Sequence, residues 1–190
     1  MTLHAETRPS LLVAPGHAER VDYEYERVGT ANLFVVVDPH AGWRHVAITA
    51  QRGKTDYARQ LQWLADECYP DASRIRLVQD NLNTHHLSSL YLVYPPEEAR
   101  RLAQRFEVHY TPKHGSWFNM AEIEIGVVQR ACLRRRVADQ EALRYRLLLL
   151  ERQRNEARCQ IHWRFTTPHA RTKLARFYAK LLAPQEAPHA

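Results

Sequence analysis

The chain has few of the residues that would crosslink it or anchor it in a bilayer. Its 190 residues include only 3 cysteines, Cys68, Cys132 and Cys159, which are odd in number and widely spaced. This pattern argues against a disulfide framework, a zinc knuckle or a redox pair, and it suits a reducing cytosol. The apolar runs, such as residues 147–150, are far short of the ~18 residues that a membrane span needs. The first ten residues lack a basic start followed by an apolar stretch, so no signal peptide is expected.

What the chain does have is the composition of one folded domain and an uneven charge. It is 45% hydrophobic and 25% charged, without internal repeats or low-complexity segments. Residues 130–190 contain 14 Lys and Arg against 5 Asp and Glu, whereas residues 1–129 contain 13 against 16. A basic C-terminal third on a slightly acidic body indicates a polyanionic partner such as nucleic acid, although solvated basic helix faces give the same composition.

The order of apolar segments predicts a fold of the α/β class. Strands are expected at residues 32–37 and 43–50, joined by a turn into an antiparallel hairpin, and at 75–78 and 107–110. Helices are expected at residues 55–69, 96–105, 119–134, 139–158 and 168–182. Strands that alternate with helices predict a mixed sheet with helices on its faces, followed by a basic helical C-terminal extension. Residues 1–20 show no periodicity and are expected to form an irregular arm.

The first candidate for chemistry is Asp80, in the segment VQDNLNTHH at the end of the short strand over residues 75–78. A carboxylate at the C-terminal end of a strand is held rigidly by the sheet and still reaches solvent, a position that suits a ligand of a hard cation. The alternative is that Asp80 and Asn81 simply begin a turn by hydrogen bonding their own backbone.

The second candidate segment is FEVHYTPKHGSWFNMAEIEIG, which carries Glu122 and Glu124 near the start of a predicted helix. With Met120, Ile123 and Val127 expected on the core face, one glutamate should face the sheet edge and the other should face water. Acidic residues in a first helical turn can also serve only to stabilise the helix dipole.

Histidines and arginines supply the remaining candidates. His85, His86, His109 and His114 surround the same region, but their spacing matches no zinc motif. His114 has two interpretations. In the first it contacts DNA or orients a ligand, and in the second it is only part of a loop. The run at residues 134–136 consists of three arginines that either contact phosphates or complement the C-terminus of a helix.

Taken together, DNLNTH and YTPKHGSWFNMAEIE resemble the DDE transposases of bacterial insertion sequences, in the mariner-like superfamily (insertion-sequence six-thirty group). The resemblance extends through YEYERVGTANLFVVVDPHAGWRHV and WRFTTPHARTKL, so it covers nearly all of the chain. It implies an RNase H-like catalytic domain that cleaves and transfers DNA strands with two Mg²⁺ or Mn²⁺ ions. It also implies transposon ends and target DNA as partners, and a place on the nucleoid in the bacterial cytoplasm.

The resemblance assigns site residues by motif. Asp80 of DNLNTH matches the second family carboxylate, and Glu122 matches the third because residues 119–122 follow the family pattern Asn-Pro-x-Glu. We therefore predict that Asp80 and Glu122 lie on the same edge of one mixed sheet, close enough to share a cation. Five further residues are predicted to contact DNA: Lys113, His114, Arg134, Arg135 and Arg136.

The departures from the family matter as much as the match. In the family, the first catalytic aspartate belongs to an Asp-Glu pair on a strand that precedes the stretch matching HAETRPSL, so we expect this aspartate to be missing here. Asp38 also ends a strand, but it falls on the next strand of the family pattern. We therefore expect an arm at residues 1–20, an incomplete RNase H-like catalytic domain at 21–135 that lacks its first strand, and a basic helical extension at 136–190.

Three functional interpretations stay open on the sequence alone. The first is a truncated transposase, inactive alone, without the family's helix-turn-helix. The second is a non-catalytic DNA-binding or regulatory partner of an intact transposase, and the third is an unrelated metal nuclease. A homo-oligomer or an intact transposase is the expected protein partner.

Overall fold

The computed structural model describes residues 1–8, 23–112, 119–173 and 175, in units of Met1–Gln160 and Ile161–Ala190. The described strands are β1 (Thr2–Glu6), β2 (Tyr25–Thr30), β3 (Asn32–Asp38), β4 (Trp43–Thr49), β5 (Ile75–Gln79) and β6 (Phe106–Tyr110). The described helices are α1 (Lys54–Trp63), α2 (Pro96–Gln104), α3 (Ala121–Cys132), α4 (Gln140–Glu156) and α5 (Thr167–Lys173). A π-helical turn at Leu64–Cys68 continues α1, and a 3-10 helix occupies Leu87–Leu92.

β3 and β4 form the antiparallel hairpin that the sequence predicts. At the turn, Asp38 Oδ1 accepts hydrogen bonds from the backbone N–H groups of His40 (3.0 Å) and Ala41 (2.9 Å). Gly42 follows with a φ of 68°, a left-handed conformation that glycine adopts without steric cost. The hairpin is thus specified locally, by a β-branched run, an aspartate that closes the turn and a glycine.

One hydrophobic core lies where α1, the 3-10 helix and α2 meet. Two separate sheets cover it, with Phe34 and Val36 from β3 and Ile75 and Leu77 from β5. β5 and β6 pair in parallel, and α2 lies in the connection between them, as parallel pairing requires. The same helix layer therefore supports both the β3–β4 hairpin and the β5–β6 pair.

A second core lies on the opposite face of the hairpin. Leu33 and Val35 of β3 face this side, because successive residues of a strand point to opposite faces. They pack against a cluster whose buried members are Leu3, Ala31, Val46, Val128, Cys132, Val137, Leu143 and Leu147. The hairpin is therefore sandwiched between the α1 layer on one face and α3 with α4 on the other.

α4 also covers the outer edge of β4 with polar side chains. Asn155 Oδ1 accepts from the backbone N–H of Arg44 at 2.9 Å, and its Nδ2 donates to the Arg44 carbonyl at 2.8 Å. One turn earlier, Glu151 Oε2 accepts from the backbone N–H of Val46 at 3.0 Å. These bonds satisfy backbone groups that would otherwise leave an open sheet edge.

The N-terminal segment differs from the expected irregular arm. Residues 2–6 form β1, which pairs antiparallel with β2, while residues 9–22 lie outside the described part of the chain. Every residue of β2 is exposed, so β2 has no alternating apolar face, whereas Leu3 of β1 is buried in the second core. A pattern of hydrophobicity could not reveal such a strand.

The mixed α/β class is confirmed, but the described strands form three two-stranded sheets rather than one mixed sheet. α4, which the sequence assigns to a basic extension, packs against β4 and α3 inside the first unit. In the second unit, α5 begins near the predicted residue, and the predicted continuation to residue 182 lies largely outside the described residues. No helix in the described ranges has the length and apolar character to cross a membrane.

Candidate active site

Asp80 follows the last residue of β5, and its side chain is 41% exposed. Its Oδ1 accepts from the backbone N–H of Leu82 at 3.3 Å, which is the turn-type bond that the alternative reading of this segment predicts. The same oxygen lies 2.6 Å from Nδ1 of His85. Among the described residues, no group hydrogen bonds to Oδ2. One oxygen of the carboxylate is therefore held inside the loop, while the other is left for a ligand.

The loop after Asp80 is tied to the end of β6. The side-chain amide of Asn81 donates to the backbone carbonyl of Thr111, and the N–H of Thr111 donates to the carbonyl of Gln79 at 2.8 Å. The parallel pairing of β5 and β6 is thus extended by one residue beyond the strands. These bonds give Asp80 a fixed backbone position at the C-terminal end of the pair.

Glu122 lies in the first turn of α3 with an exposed side chain. Asn119 organises this helix start, because its Oδ1 accepts from the N–H of Ala121 at 3.0 Å and its carbonyl accepts from the N–H of Glu122 at 3.1 Å. The Glu122 carboxylate makes no hydrogen bond or ion pair with the described residues. It is therefore as available to a ligand as Asp80 Oδ2.

Glu124 has the opposite surroundings, with only 1% of its side chain exposed. Its two oxygens accept from Nε and Nη2 of Arg154 at 3.0 and 3.1 Å, and Oε2 lies 3.5 Å from Nε of the equally buried Arg44. The face of α3 expected toward the core was wrong, since Ile123 is 42% exposed while Glu124 and Val128 are buried. The apolar pattern predicts a buried isoleucine at position 123, whereas the structure buries the neighbouring Glu124, whose charge has two arginine partners.

Within the described ranges, no hydrogen bond or ion pair brings Asp80 and Glu122 together. Asp80 is held by residues at the C-terminal end of β5, whereas the first turn of α3 is held through Glu124 by Arg44 on β4. The predicted placement of the two carboxylates around one cation therefore remains a prediction.

Asp38 is the other carboxylate that ends a strand, and both of its oxygens are already used. Oδ1 accepts from the two N–H groups of the hairpin turn, and Oδ2 accepts from the hydroxyl of Tyr69 at 3.2 Å. Burial and the neighbouring Asp38 carboxylate raise the pKa of Tyr69 to about 12, so this hydroxyl keeps its proton and donates. The turn and the tyrosine account for Asp38 without a metal.

The predicted DNA-contacting residues are only partly described, since Lys113 and His114 lie outside the described residues. Arg134 and Arg135 are exposed just beyond the end of α3 and line a pocket next to β1. Arg136 is half-buried, because its Nη1 donates to the carbonyl of Glu24 at 2.6 Å and its guanidinium lies 5.4 Å from the ring centre of Tyr25. Arg136 therefore also has a structural role in holding β2.

The donor atoms left open in this region are carboxylate oxygens, which are the ligands that Mg²⁺ and Mn²⁺ prefer. Asp80 Oδ2 and the Glu122 carboxylate suit such an ion by their chemistry and by their lack of other described partners. Within the described part of the chain, no three His, Cys, Asp or Glu side chains are grouped so as to hold a metal ion. Among the described residues, Asp80 and Glu122 are therefore separate candidate ligands rather than members of a larger group.

A mixed α/β fold that presents an exposed carboxylate at the end of a parallel strand is compatible with a nuclease of the DDE type. Residues 2–144 match the family of DDE superfamily endonucleases, which is well over half of the chain. The chain therefore belongs to the DDE superfamily endonucleases. This is a transposase-type nuclease family that acts on DNA and generally uses divalent metal ions. No curated protein and no solved structure matches the chain.

The sequence did not single out the residues that surround Asp80. Gln79 is buried as the last residue of β5, and Tyr57 reaches it from α1, 22 positions earlier in the chain. The sequence pattern relates His85 only to a zinc motif, which its spacing does not match, although it lies five residues after Asp80 in the same loop. That short spacing was the one signal in the sequence that could have identified this partner.

Proposed function

We propose that this chain is the catalytic portion of a bacterial insertion-sequence transposase of the mariner-like DDE superfamily, in the insertion-sequence six-thirty group. Its role is DNA transposition, in which the protein binds transposon ends, cleaves DNA strands and transfers them to target DNA on the nucleoid. The observation that carries this proposal is the half-exposed Asp80 at the end of β5, in a chain that matches the DDE endonuclease family over residues 2–144.

The packing of the sheets supports an RNase H-like arrangement. Phe34 and Val36 of β3 cover the same core as Ile75 and Leu77 of β5, yet β3 pairs only with β4 and β5 only with β6 among the described strands. Strands β3 and β5 cover one core without pairing with each other, an arrangement that is compatible with a further strand between them. A strand placed there would join both pairs into one mixed sheet.

Asp80 and Glu122 are the residues proposed to hold Mg²⁺ or Mn²⁺. Such ions, if held by these carboxylates, would supply positive charge next to the scissile phosphate and would make a bound water more acidic. Asp80 contributes an oxygen on a rigid strand end, and Glu122 contributes one at a helix start that Asn119 holds in place. Both carboxylates come together, in this proposal, only when the two sheet pairs are joined.

The chain by itself is proposed to be inactive, because two carboxylates are too few for a two-metal site and Asp38 is occupied. We expect no cleavage of plasmid DNA by the 190-residue chain in Mg²⁺ or Mn²⁺. Extending the chain at its N-terminus with a strand that carries an Asp-Glu pair should produce cleavage. In that extended protein, Asp80→Ala or Glu122→Ala should lower the rate by about a hundred-fold or more, whereas Glu156→Ala should leave it unchanged.

Two results would contradict this proposal. Metal-dependent nicking by the 190-residue chain that disappears in Asp38→Ala would make Asp38 the missing ligand. An extended protein that folds and binds DNA but does not cleave it would instead favour the second candidate function, a regulatory partner of an intact transposase. What keeps this second candidate under test is that the described residues include no group of three His, Cys, Asp or Glu side chains that could hold a metal ion.

A further inference from the structure

His85 is the most completely held residue around the proposed metal ligand. Its backbone N–H donates to the carbonyl of Leu82 at 2.9 Å. Its own carbonyl accepts from Gln79 Nε2 at 2.8 Å and from the hydroxyl of Tyr110 at 3.0 Å. With three backbone hydrogen bonds in an otherwise irregular loop, the Cα of His85 has little freedom to move.

The imidazole ring is held as well. The ring of Tyr57 stacks on it, with the ring centres 4.8 Å apart and the planes 30° from parallel. The Tyr57 hydroxyl donates to Oε1 of Gln79, whose amide in turn holds the His85 carbonyl. Burial raises the pKa of Tyr57 well above its usual range, so this hydroxyl remains a donor. The position and the plane of the imidazole are therefore set by residues of α1, β5 and β6 and by the loop itself.

A fixed imidazole presents one nitrogen to the carboxylate. Nδ1 of His85 lies 2.6 Å from Oδ1 of Asp80, and the carboxylate oxygen can only accept in this bond, so Nδ1 carries the proton. This occupies Oδ1 and limits rotation of the carboxylate about its bond to Cβ. A carboxylate that ligates a metal is commonly oriented by such a neighbour, and loss of the neighbour typically costs 10–100-fold in metal affinity or activity.

We infer that His85 is a positioning residue, which holds the Asp80 carboxylate in the orientation that leaves Oδ2 for the cation. The inference rests on the proposed function, in which Asp80 is the ligand. Tyr57 and Gln79 stabilise the position of His85, because Tyr57 stacks on its ring and Gln79 donates to its carbonyl. His85 itself makes no bond to the metal in this arrangement.

The test is an NMR titration of the 190-residue chain with MnCl₂, followed through broadening of the backbone amide signals of residues 80–82. We expect Asp80→Asn to abolish the broadening and His85→Ala to weaken the apparent Mn²⁺ affinity about ten-fold or more. In His85→Asn the side-chain amide replaces Nδ1 as the donor, so the affinity should stay close to that of the wild type. In His85→Gln the amide lies near the former Nε2, so the affinity should fall as in His85→Ala.

The control is His86→Ala, which removes the neighbouring exposed histidine and should leave the affinity unchanged. Amide spectra without metal report whether each variant keeps its fold, independently of Mn²⁺. If His85→Asn binds as weakly as His85→Ala while the fold is intact, His85 is a ligand rather than a positioning residue, and the inference is overturned.

The outcomes also separate this inference from the proposed function. If the wild type shows broadening that persists in Asp80→Asn, then Asp80 is not the ligand. In that case the proposed function is contradicted, and the inference about His85 is contradicted with it. If Asp80→Asn abolishes binding while His85→Ala retains it, the proposed function stands and only the role of His85 is overturned. Tighter binding in His85→Ala would likewise overturn it, because the imidazole would then compete with the cation for the carboxylate.

Discussion

Gly42 lies where two parts of the chain that are distant in sequence, the β3–β4 turn and the segment after α4, come into contact. It has a φ of 68° in the β3–β4 turn, and a Cβ built on it would lie 2.5 Å from the backbone carbonyl oxygen of Arg158. Its own carbonyl accepts a hydrogen bond from Arg44 Nη1 at 2.7 Å. The hairpin turn therefore packs directly against the backbone that follows α4, and only a residue without a side chain permits this approach.

We expect Gly42→Ala to lower the free energy of unfolding by about 2–4 kcal/mol, because the methyl group meets backbone that cannot move aside and the left-handed conformation is strained. Urea denaturation followed by circular dichroism measures the change. Gly126→Ala is the matched control, since its new methyl group would meet only the flexible end of Arg130 inside α3. That control should be neutral or stabilising by up to about 1 kcal/mol. Equal losses in both variants would contradict the close packing at Gly42.

At the scale of elements, the buried cluster of Arg44, Glu124 and Arg154 sets the rotation of α3. Arg44 Nη1 also donates to the Arg154 carbonyl at 2.9 Å, and Nη2 donates to the carbonyl of Cys159. Strand β4, helix α3 and the end of α4 therefore meet at these charges. Because Glu124 faces this cluster, Glu122, two residues earlier and about 200° around the helix, is turned outward.

We expect Glu124→Gln to lower the free energy of unfolding by about 3 kcal/mol, because Arg44 would keep a buried charge without a counter-ion. Glu122→Gln removes an exposed carboxylate from the same helical turn and should change stability by less than about 0.5 kcal/mol. The comparison is made by urea denaturation of both variants under one set of conditions. If Glu122→Gln proved the more destabilising, the assignment of the buried face of α3 would be wrong.

At the scale of the whole molecule, the basic C-terminal third predicts how the chain binds DNA. We expect nonspecific binding whose affinity falls steeply between about 50 and 200 mM salt, because phosphate contacts release counter-ions. Replacing Arg134 and Arg135 by glutamine should reduce the slope of log affinity against log salt by about 1 per arginine. Fluorescence anisotropy with a labelled duplex measures the slope.

A matched control for the DNA experiment is Arg152→Gln, because Arg152 lies in the same basic third but forms an ion pair with Glu156 at 2.8 Å. Its slope should equal that of the wild type. Binding that does not change with salt, or that is absent at low salt, would contradict a role for these arginines in phosphate contacts.

The sequence by itself determined the features that depend on neighbours along the chain. The β3–β4 hairpin follows from a β-branched run, Asp38 at the turn and Gly42, all within a few residues of one another. The helices follow from apolar periodicity and nearby caps, such as Asp139 at the start of α4. The family and the motif that carries Asp80 could also be identified from contiguous segments, and the family match over residues 2–144 confirms the DDE class.

Only the tertiary structure decided which polar side chains are buried and what holds them. The family motif favours Glu122 as a ligand, but the burial of Glu124 depends on Arg44 and Arg154, the nearer of which is 30 positions away. The bonds between Asn155 and Arg44 join residues 111 positions apart. Pairings of this kind leave no periodic signal, because they arise when elements that are distant in the chain pack together and buried charges must find partners. For the same reason the sequence indicated Asp80 but not Tyr57, which lies 22 positions before Gln79 and stacks on His85.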